Sequence, residues 1–141
     1  MFRVYAGELC FEINNNATQY HWLGINNEVI SPSEHDYFRV FLDNGDEKEI
    51  AVFSKNQTGK VLGKDNDVVI TYDKLIDEFN REYDIKLNVY MKSVGSNMEY
   101  YAEIENYSNV RVNEVECPFI ELSKIYDNDT SKDVLFRANG P

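Results

Sequence analysis

Few side chains in this sequence are spaced for catalysis or metal binding. His21 and His35 are the only histidines, and the densest polar cluster around either is Glu34-His35-Asp36. Adjacent side chains on an extended chain point to alternate sides, so these three cannot converge on one ion. The motifs of serine hydrolases, phosphate-binding loops, dinucleotide-binding folds and zinc proteases are absent from the sequence. We therefore predict no catalytic residue, no metal site and no cofactor in this chain.

Carboxylates are plentiful enough to suggest a glycosidase-like pair. Such a pair needs two groups that face each other across a cleft, roughly 5 to 9 Å apart, one of them with a raised pKa. Glu103, Glu105, Glu114 and Glu116 are predicted to lie on neighbouring strands of one sheet. We expect them to form a solvated sheet face rather than a catalytic pair.

Aromatic side chains are the stronger candidates for binding. Six of them are expected on strand faces that are opposite the presumed core or that the sequence does not fix relative to it: Tyr5, Tyr20, Trp22, Tyr37, Tyr90 and Tyr101. Exposed aromatic rings stack on the C–H faces of sugars, and tyrosine hydroxyls add hydrogen bonds. We single out Trp22, Tyr20 and Tyr101, with Asn139 near the end of the chain, as candidate carbohydrate-binding residues. For most of these rings we expect that another domain covers them in the whole protein, because an exposed aromatic patch marks an interface without specifying its kind.

The charge of the chain and its cysteine content indicate which binding partners are disfavoured and which cellular compartment is expected. Fourteen basic and twenty-five acidic residues give a formal charge of −11, which disfavours nucleic acid and anionic membrane surfaces. No apolar run reaches membrane-spanning length, and Met1 leads into Phe2-Arg3-Val4-Tyr5 without the pattern of a signal peptide. We therefore expect a cytoplasmic protein. Cys10 and Cys117 lack CxxC spacing and neighbouring histidines, so we predict reduced thiols, with a disulfide or metal role as the alternative.

Hydrophobic alternation with a period of two predicts an all-β protein, an antiparallel β-sandwich formed by residues 1–141 as one domain. The strand over 37–42 is apolar on both faces and is therefore placed centrally in its sheet. Residues 73–83 instead repeat apolar side chains at helical spacing, so a short helix is the alternative there to a loop or strand extension. The predicted strands cover about 3–13, 18–25, 37–42, 49–54, 60–64, 68–72, 84–91, 99–105 and 110–117, and 133–137 also has the pattern of a strand.

The last two predicted strands are the centre of the interpretation. Asn106-Tyr107-Ser108-Asn109 joins them and consists of residues that tolerate tight turns, which predicts a hairpin. The apolar residues of 110–117 begin on even positions and continue on odd ones. One face stays buried only if a residue is inserted, so we predict a β-bulge near Asn113. Pro118 lacks a backbone donor and should end the strand or place it at a sheet edge.

Two segments resemble a known family. ENYSNVRVNEVECPFI is similar to the pattern E-N-x-S-(D/N)-x-x-V-x-E-V-x-(F)-P-x-I/L in the N-terminal β-sandwich domain of large glycoside hydrolases, the galactose-mutarotase-like supersandwich. LFRANGP resembles the family's L-(F/W)-x-P-N-x-x-G loop, with Ala138 where proline is usual. Cys117 stands where the first pattern more often has an aromatic residue. The matching residues of that pattern are Glu105, Asn106, Ser108, Val112, Glu114, Val115, Pro118 and Ile120.

The resemblance implies a supersandwich-like fold and a non-catalytic domain. In that family such a domain packs on a downstream catalytic barrel of the same chain and helps to shape the sugar-binding cleft. The catalytic carboxylates lie in the barrel, so no residue here inherits them. We accordingly expect the chain to be the N-terminal part of a longer glycoside hydrolase. The alternatives are a stand-alone carbohydrate-binding module and a protein-interaction or assembly domain, with self-association through exposed sheet faces or edges.

Overall fold

The computed structural model describes residues 1–24, 26, 29–31, 36–46 and 48–118, and for 29–31 the backbone alone. The described residues form an all-β, sandwich-like fold, as predicted, with one 3₁₀ turn at Ser54–Asn56. The strands are β1 Phe2–Ala6, β2 Leu9–Ile13, β3 Tyr20–Leu23, β4 Val29–Ser31, β5 Arg39–Asp43, β6 Ile50–Phe53, β7 Lys60–Lys64, β8 Asp67–Tyr72, β9 Leu75–Ile76, β10 Glu82–Tyr83, β11 Ile85–Val94, β12 Asn97–Asn106 and β13 Arg111–Glu116.

These strands are arranged in antiparallel sheets. The first sheet has the order β1-β2-β3-β4, the long sheet β12-β11-β8-β7 and the short sheet β13-β5-β6, while β9 and β10 form a separate hairpin. Strand β5 lies between β13 and β6, which confirms the central position predicted for 37–42. Each pairing within the described residues is antiparallel, as expected for short strands joined by turns.

The core lies on the inner faces of the sheets and is rich in aromatic rings. Tyr37 and Tyr72 are both almost fully buried, and their hydroxyl oxygens lie 2.5 Å apart. The hydroxyl of Tyr20 is hydrogen-bonded to Ser54 Oγ at 2.9 Å. Burying each such ring contributes about 1.5 to 3 kcal/mol, provided that its polar group keeps a partner. The largest rings in this cluster are Phe11, Tyr20, Trp22, Tyr37, Phe38, Tyr72 and Tyr100.

The predicted strand over 3–13 is wrong in one respect, because it is a hairpin. Strands β1 and β2 are joined through Gly7 and Glu8, and Gly7 has a φ of +61°, which glycine adopts at little cost. The inward-facing residues show the break: Val4 is on an even position, whereas Leu9 and the buried residues after it on the inner face are on odd ones. A straight strand could not bury both sets on one face.

Residues 73–83 form the β9–β10 hairpin rather than the helix considered from their spacing. The Asp77 carboxylate accepts hydrogen bonds from the backbone N–H groups of Phe79 and Arg81, at 2.8 and 2.9 Å. A short polar side chain that binds nearby backbone donors gives the chain an alternative to helical hydrogen bonds. The hydrogen bonds to Asp77 therefore stabilise the hairpin in preference to a short helix.

The central pair of strands, β12 and β13, is the largest correction to the predicted topology. Strand β12 pairs with β11 in the long sheet, whereas β13 pairs with β5 in the short sheet, so the two do not form a hairpin. It follows that the glutamates of β12 and β13 lie on different sheets, not on one as predicted. The bulge is confirmed, because the register shifts between Val112 and Glu114. The edge position before Pro118 is confirmed too, since among the described residues β13 is the outer strand of its sheet and ends at Glu116.

Candidate functional site

Two of the predicted sugar-binding residues lie inside the protein. Tyr20 and Trp22 are 2% and 1% exposed, and both rings pack against Phe11. Tyr37, also expected on an outer face, is 1% exposed. The expectation of outward-facing rings is wrong for these three residues, because β3 pairs Tyr20 and Trp22 with inward-facing residues of β2. Neither Tyr20 nor Trp22 offers a ring face to a ligand in this structure.

Tyr101, by contrast, is exposed as expected. Its ring is 44% exposed and stacks on Tyr90, with ring centroids 4.4 Å apart and planes inclined by 15°. Asn139 and the strand predicted over 133–137 lie outside the described residues. Tyr101 lies on the outer face of the long sheet, whereas Tyr20 and Trp22 are buried on β3 of the first sheet, so the structure does not bring these residues together.

Tyr90 and Tyr101 belong to an apolar row that crosses the outer face of the long sheet. Leu62 pairs with Val69, Val69 with Tyr90, and Tyr90 with Tyr101, so the row takes one residue from each of the four strands. Leu62 is 46% exposed at one edge of the sheet, and Tyr101 is exposed at the other. We call the outer surface formed by this row and its two flanking rows the tyrosine face.

Polar rows lie on both sides of the apolar row. The register places Lys64, Asp67, Lys92 and Glu99 on one side, and Lys60, Thr71, Asn88 and Glu103 on the other. Three lysines thus stand with three carboxylates on this face, in a chain whose formal charge is −11. Among described residues, none of these six charged side chains forms an ion pair, although Asn88 Nδ2 approaches Glu103 Oε1 at 3.5 Å.

A second surface is built around the loop of the β9–β10 hairpin. The Asp77 side chain is fully buried and accepts four hydrogen bonds. Its Oδ1 binds the Phe79 and Arg81 backbone, and its Oδ2 binds Arg81 Nε at 2.6 Å and the Tyr83 hydroxyl at 2.7 Å. A further backbone bond, from Glu78 N–H to the carbonyl of Ala51, ties the loop to β6. The loop is therefore held from inside by one carboxylate.

The charge state of Asp77 suits this bracing role. Burial alone would raise the pKa of this carboxyl, but hydrogen bonds from the Arg81 and Phe79 backbone, from the Tyr83 hydroxyl and from the Arg81 side chain outweigh burial and lower it. The same arrangement raises the pKa of Tyr83, through burial first and the bond to Asp77 second. Asp77 is thus held as an anion.

The braced loop presents an aromatic ring to solvent. Phe79 is 70% exposed, and the Arg81 guanidinium carbon lies 5.3 Å from the centre of its ring. Beside the ring is an open depression of about 440 Å³, which we call the Phe79 pocket. Its other polar lining residues are Asn44, Asp46, Lys48, Glu49 and Glu78. The pocket thus combines one apolar ring with amide, carboxylate and cationic groups.

Reasoning from the sequence missed the Phe79 pocket. The helical spacing of 75–83 drew Phe79 into a predicted apolar helix face, and nothing in that pattern singled out Asp77. The available signal was the run Asp77-Glu78-Phe79-Asn80, in which turn-forming residues surround an aromatic one. Asn80 does adopt the left-handed conformation of a tight loop, with a φ of +63°.

A third polar cluster links the strands of the first sheet. Glu12 accepts hydrogen bonds from Arg3 Nε at 2.5 Å and is bonded to His21 Nε2 at 2.9 Å. Burial would raise the pKa of Glu12, but Arg3 and His21 together lower it, the opposite of what a general acid needs. The cluster is therefore suited to tying β1, β2 and β3 together.

The two cysteines are free thiols in protected positions. Burial raises the pKa of Cys10 to about 11 and that of Cys117 to about 12. Thiols with such pKa values carry little thiolate at neutral pH and are poor nucleophiles and metal ligands. Within the described part of the chain, no group of three or more His, Cys, Asp or Glu residues is placed to hold a metal ion.

No helix among the residues described here is long and apolar enough to span a membrane. The sequence matches no protein-family model, and it matches no curated protein. The resemblance to glycoside hydrolase domains therefore depends on the sequence segments quoted above alone.

Proposed function

We propose that this chain is a non-catalytic accessory domain of a carbohydrate-active enzyme, a glycoside hydrolase, and that it holds sugar at the Phe79 pocket. In the whole protein the domain would pack on a downstream catalytic domain and help to shape the sugar-binding cleft. The observation that carries the proposal is the exposed Phe79 ring, which stands on a loop whose backbone is held by the buried Asp77.

The chemistry of the Phe79 pocket supports a neutral sugar as its ligand. A pyranose presents an apolar C–H face, which stacks on an aromatic ring, and hydroxyl groups, which bond to amide and carboxylate side chains. Phe79 supplies the ring, while Asn44 and Glu78 are among the polar side chains beside it. A volume of about 440 Å³ is within the usual range for small-ligand sites.

The rigidity of the β9–β10 loop also supports the proposed sugar site. Four hydrogen bonds to Asp77 hold the loop in one conformation before any ligand arrives. Preorganised sites bind better because less conformational entropy is lost on binding. An exposed phenylalanine on a braced loop is therefore better suited to binding than one on a loosely held chain.

Titration of the isolated domain with neutral oligosaccharides tests the proposal. Chemical-shift changes in the backbone amides of the β9–β10 loop are expected, together with weak affinity. Phe79→Ala should lower the affinity about tenfold, since an aromatic contact is worth about 1 kcal/mol or slightly more. Tyr101→Ala is the control, because it removes an exposed aromatic ring on a different surface. Loss of binding in Tyr101→Ala and not in Phe79→Ala would place the sugar on the tyrosine face instead.

The rival is a protein-interaction domain, and the exposure of both Phe79 and Tyr101 is also compatible with it. Sugar titration of the domain joined to its natural downstream sequence separates the two. An accessory domain should bind sugar alone or strengthen binding by the larger protein through Phe79. A domain that only docks on a protein would leave sugar binding unchanged in Phe79→Ala in both settings.

A further inference from the structure

The rows of the tyrosine face form a pattern that is complementary to itself. Along the apolar row and its flanks, the β7 edge carries Lys60 and Lys64, whereas the β12 edge carries Glu99 and Glu103. The inner strands repeat the relation, with Asp67 on β8 opposite in sign to Lys92 on β11. One half of the face is therefore the charge complement of the other half.

We propose that the tyrosine face is the interface of a symmetric homodimer. Its two-fold axis lies in the interface, parallel to the strands, and passes between β8 and β11. This axis places β7 of one copy over β12 of its partner and keeps each row at the same height. The proposal uses the outer face of the long sheet and does not depend on the Phe79 pocket or its ligand.

The axis pairs the side chains favourably in each of the three rows. Lys64 meets Glu99 of the second copy, Asp67 meets Lys92, and Lys60 meets Glu103, and the symmetry forms each pair twice. In the middle row Leu62 meets Tyr101 and Val69 meets Tyr90, which buries apolar surface. In the row of Lys60 and Glu103, the two inner strands place Thr71 opposite Asn88 of the second copy, so that polar groups meet as well.

The other arrangement of two facing sheets is disfavoured by the same residues. A two-fold axis perpendicular to the strands would place Lys60 over Lys64 and Glu103 over Glu99. Facing like charges are destabilising across an interface. Both axes keep the strands of the two sheets within about 30° of each other, as sheets packed face to face require, so strand alignment does not distinguish them. The charge pattern thus selects one axis.

The size of the face sets the expected strength. Four strands about 4.8 Å apart and three rows of outward residues about 7 Å apart give a footprint of roughly 400 Å² per copy. The total of about 800 Å² for both copies is smaller than the roughly 1,200 to 2,000 Å² of stable specific interfaces, so the dimer should be a weak one that dissociates in the micromolar to millimolar range. The net charge of −11 on each copy opposes association, whereas the face itself carries equal numbers of opposite charges.

Sedimentation equilibrium of the purified chain, with a charge swap, tests the proposal. The mean mass should rise from monomer towards dimer with concentration. Lys64→Glu should abolish the rise, because two ion pairs become repulsive contacts, and Lys64→Glu with Glu99→Lys should restore it. Lys64 and Glu99 lie on opposite edges of the sheet, about 14 Å apart by strand spacing, so restoration cannot come from a pair within one copy.

The second swap, Lys60→Glu with Glu103→Lys, repeats the test on the other flank. All four positions are exposed, and thermal melts of each variant check that it stays folded. A chain that remains monomeric up to millimolar concentration overturns the proposal. So does a dimer that Lys64→Glu leaves intact, which would use another surface, or a loss that the swap fails to restore, which would remove this axis.

Discussion

The Asp77 carboxylate should stabilise the fold and the Phe79 pocket together. Asp77→Ala removes the acceptor of two backbone N–H groups and of the Tyr83 hydroxyl. At about 1 kcal/mol for each hydrogen bond, the expected loss is about 3 kcal/mol of unfolding free energy. We assign no part of this loss to the Arg81 ion pair, because that guanidinium is about half exposed and water screens it.

Asp77→Asn separates the hydrogen bonds that need only an acceptor oxygen from those that need the carboxylate. The amide oxygen still accepts from the two backbone N–H groups, while its NH₂ group meets the Arg81 Nε–H, so two donors oppose each other. We expect a loss of about 1 kcal/mol. Because the folded pKa of Asp77 lies below its unfolded value, near 3.9, its stabilisation is present above that pH and is lost as the pH falls through the folded pKa. The difference from the wild type should therefore be largest at neutral pH and shrink in acid.

Urea unfolding followed by the fluorescence of the buried Trp22 measures these losses, with exposed Asp73→Asn as the control for a lost charge. Amide hydrogen exchange adds a local measurement. The Phe79 and Arg81 amides should exchange faster in Asp77→Ala than in the wild type, since both lose their acceptor. The reasoning fails if Asp77→Ala costs no more than Asp73→Asn, or if these two amides exchange at unchanged rates.

The remaining predictions concern the strands and the thiols. Deleting Asn113 should destabilise far more than Asn113→Ala in urea melts, because the deletion reverses the facing of all later β13 residues; equal costs would argue against the bulge. Ile104→Ala should lower the free energy of unfolding by about 2 kcal/mol, the low end for large-to-small changes at buried sites, because this side chain is only partly buried. An equally large loss for Tyr101→Ala in dilute solution would contradict the assignment of Ile104 to the inner face and Tyr101 to the outer face. Cys10 and Cys117 should react slowly with iodoacetamide at pH 8 unless urea is added, and rapid labelling of the folded chain would refute their raised pKa values.

Alternation predicted the strands of the long sheet well, because each of them is buried on one face only. Strands β7, β8 and β11 begin or end within a few residues of the predicted bounds. The bulge at Asn113 was predictable for the same reason, since a change of parity in the apolar residues has no other way to keep one face inward. In these strands the alternation of apolar and polar residues therefore directly indicates which side chains are buried.

Pairing between distant strands was not predictable in this way. The sequence of β12 and β13 says which side chains face inward, but the same facing is satisfied by a hairpin or by an arch between two sheets. What distinguishes them is the partner of each strand: β12 pairs with β11, its neighbour in sequence, whereas β13 pairs with β5, which is distant from it in sequence. The exposure of Tyr20 and Trp22 was mistaken for a related reason: a strand as short as β3 permits either facing until its neighbour is known.

The Phe79 pocket and the tyrosine face have no residue in common. The pocket is lined from 44–50 and 78–81, whereas the face is formed by β7, β8, β11 and β12. Dimerisation through the face therefore covers Tyr101 but removes no pocket residue from the surface by direct contact, so each copy keeps its own sugar site. It follows that the two proposals fail separately. Lys64→Glu should abolish the dimer and leave oligosaccharide affinity unchanged, while Phe79→Ala should weaken sugar binding and leave the dimer intact.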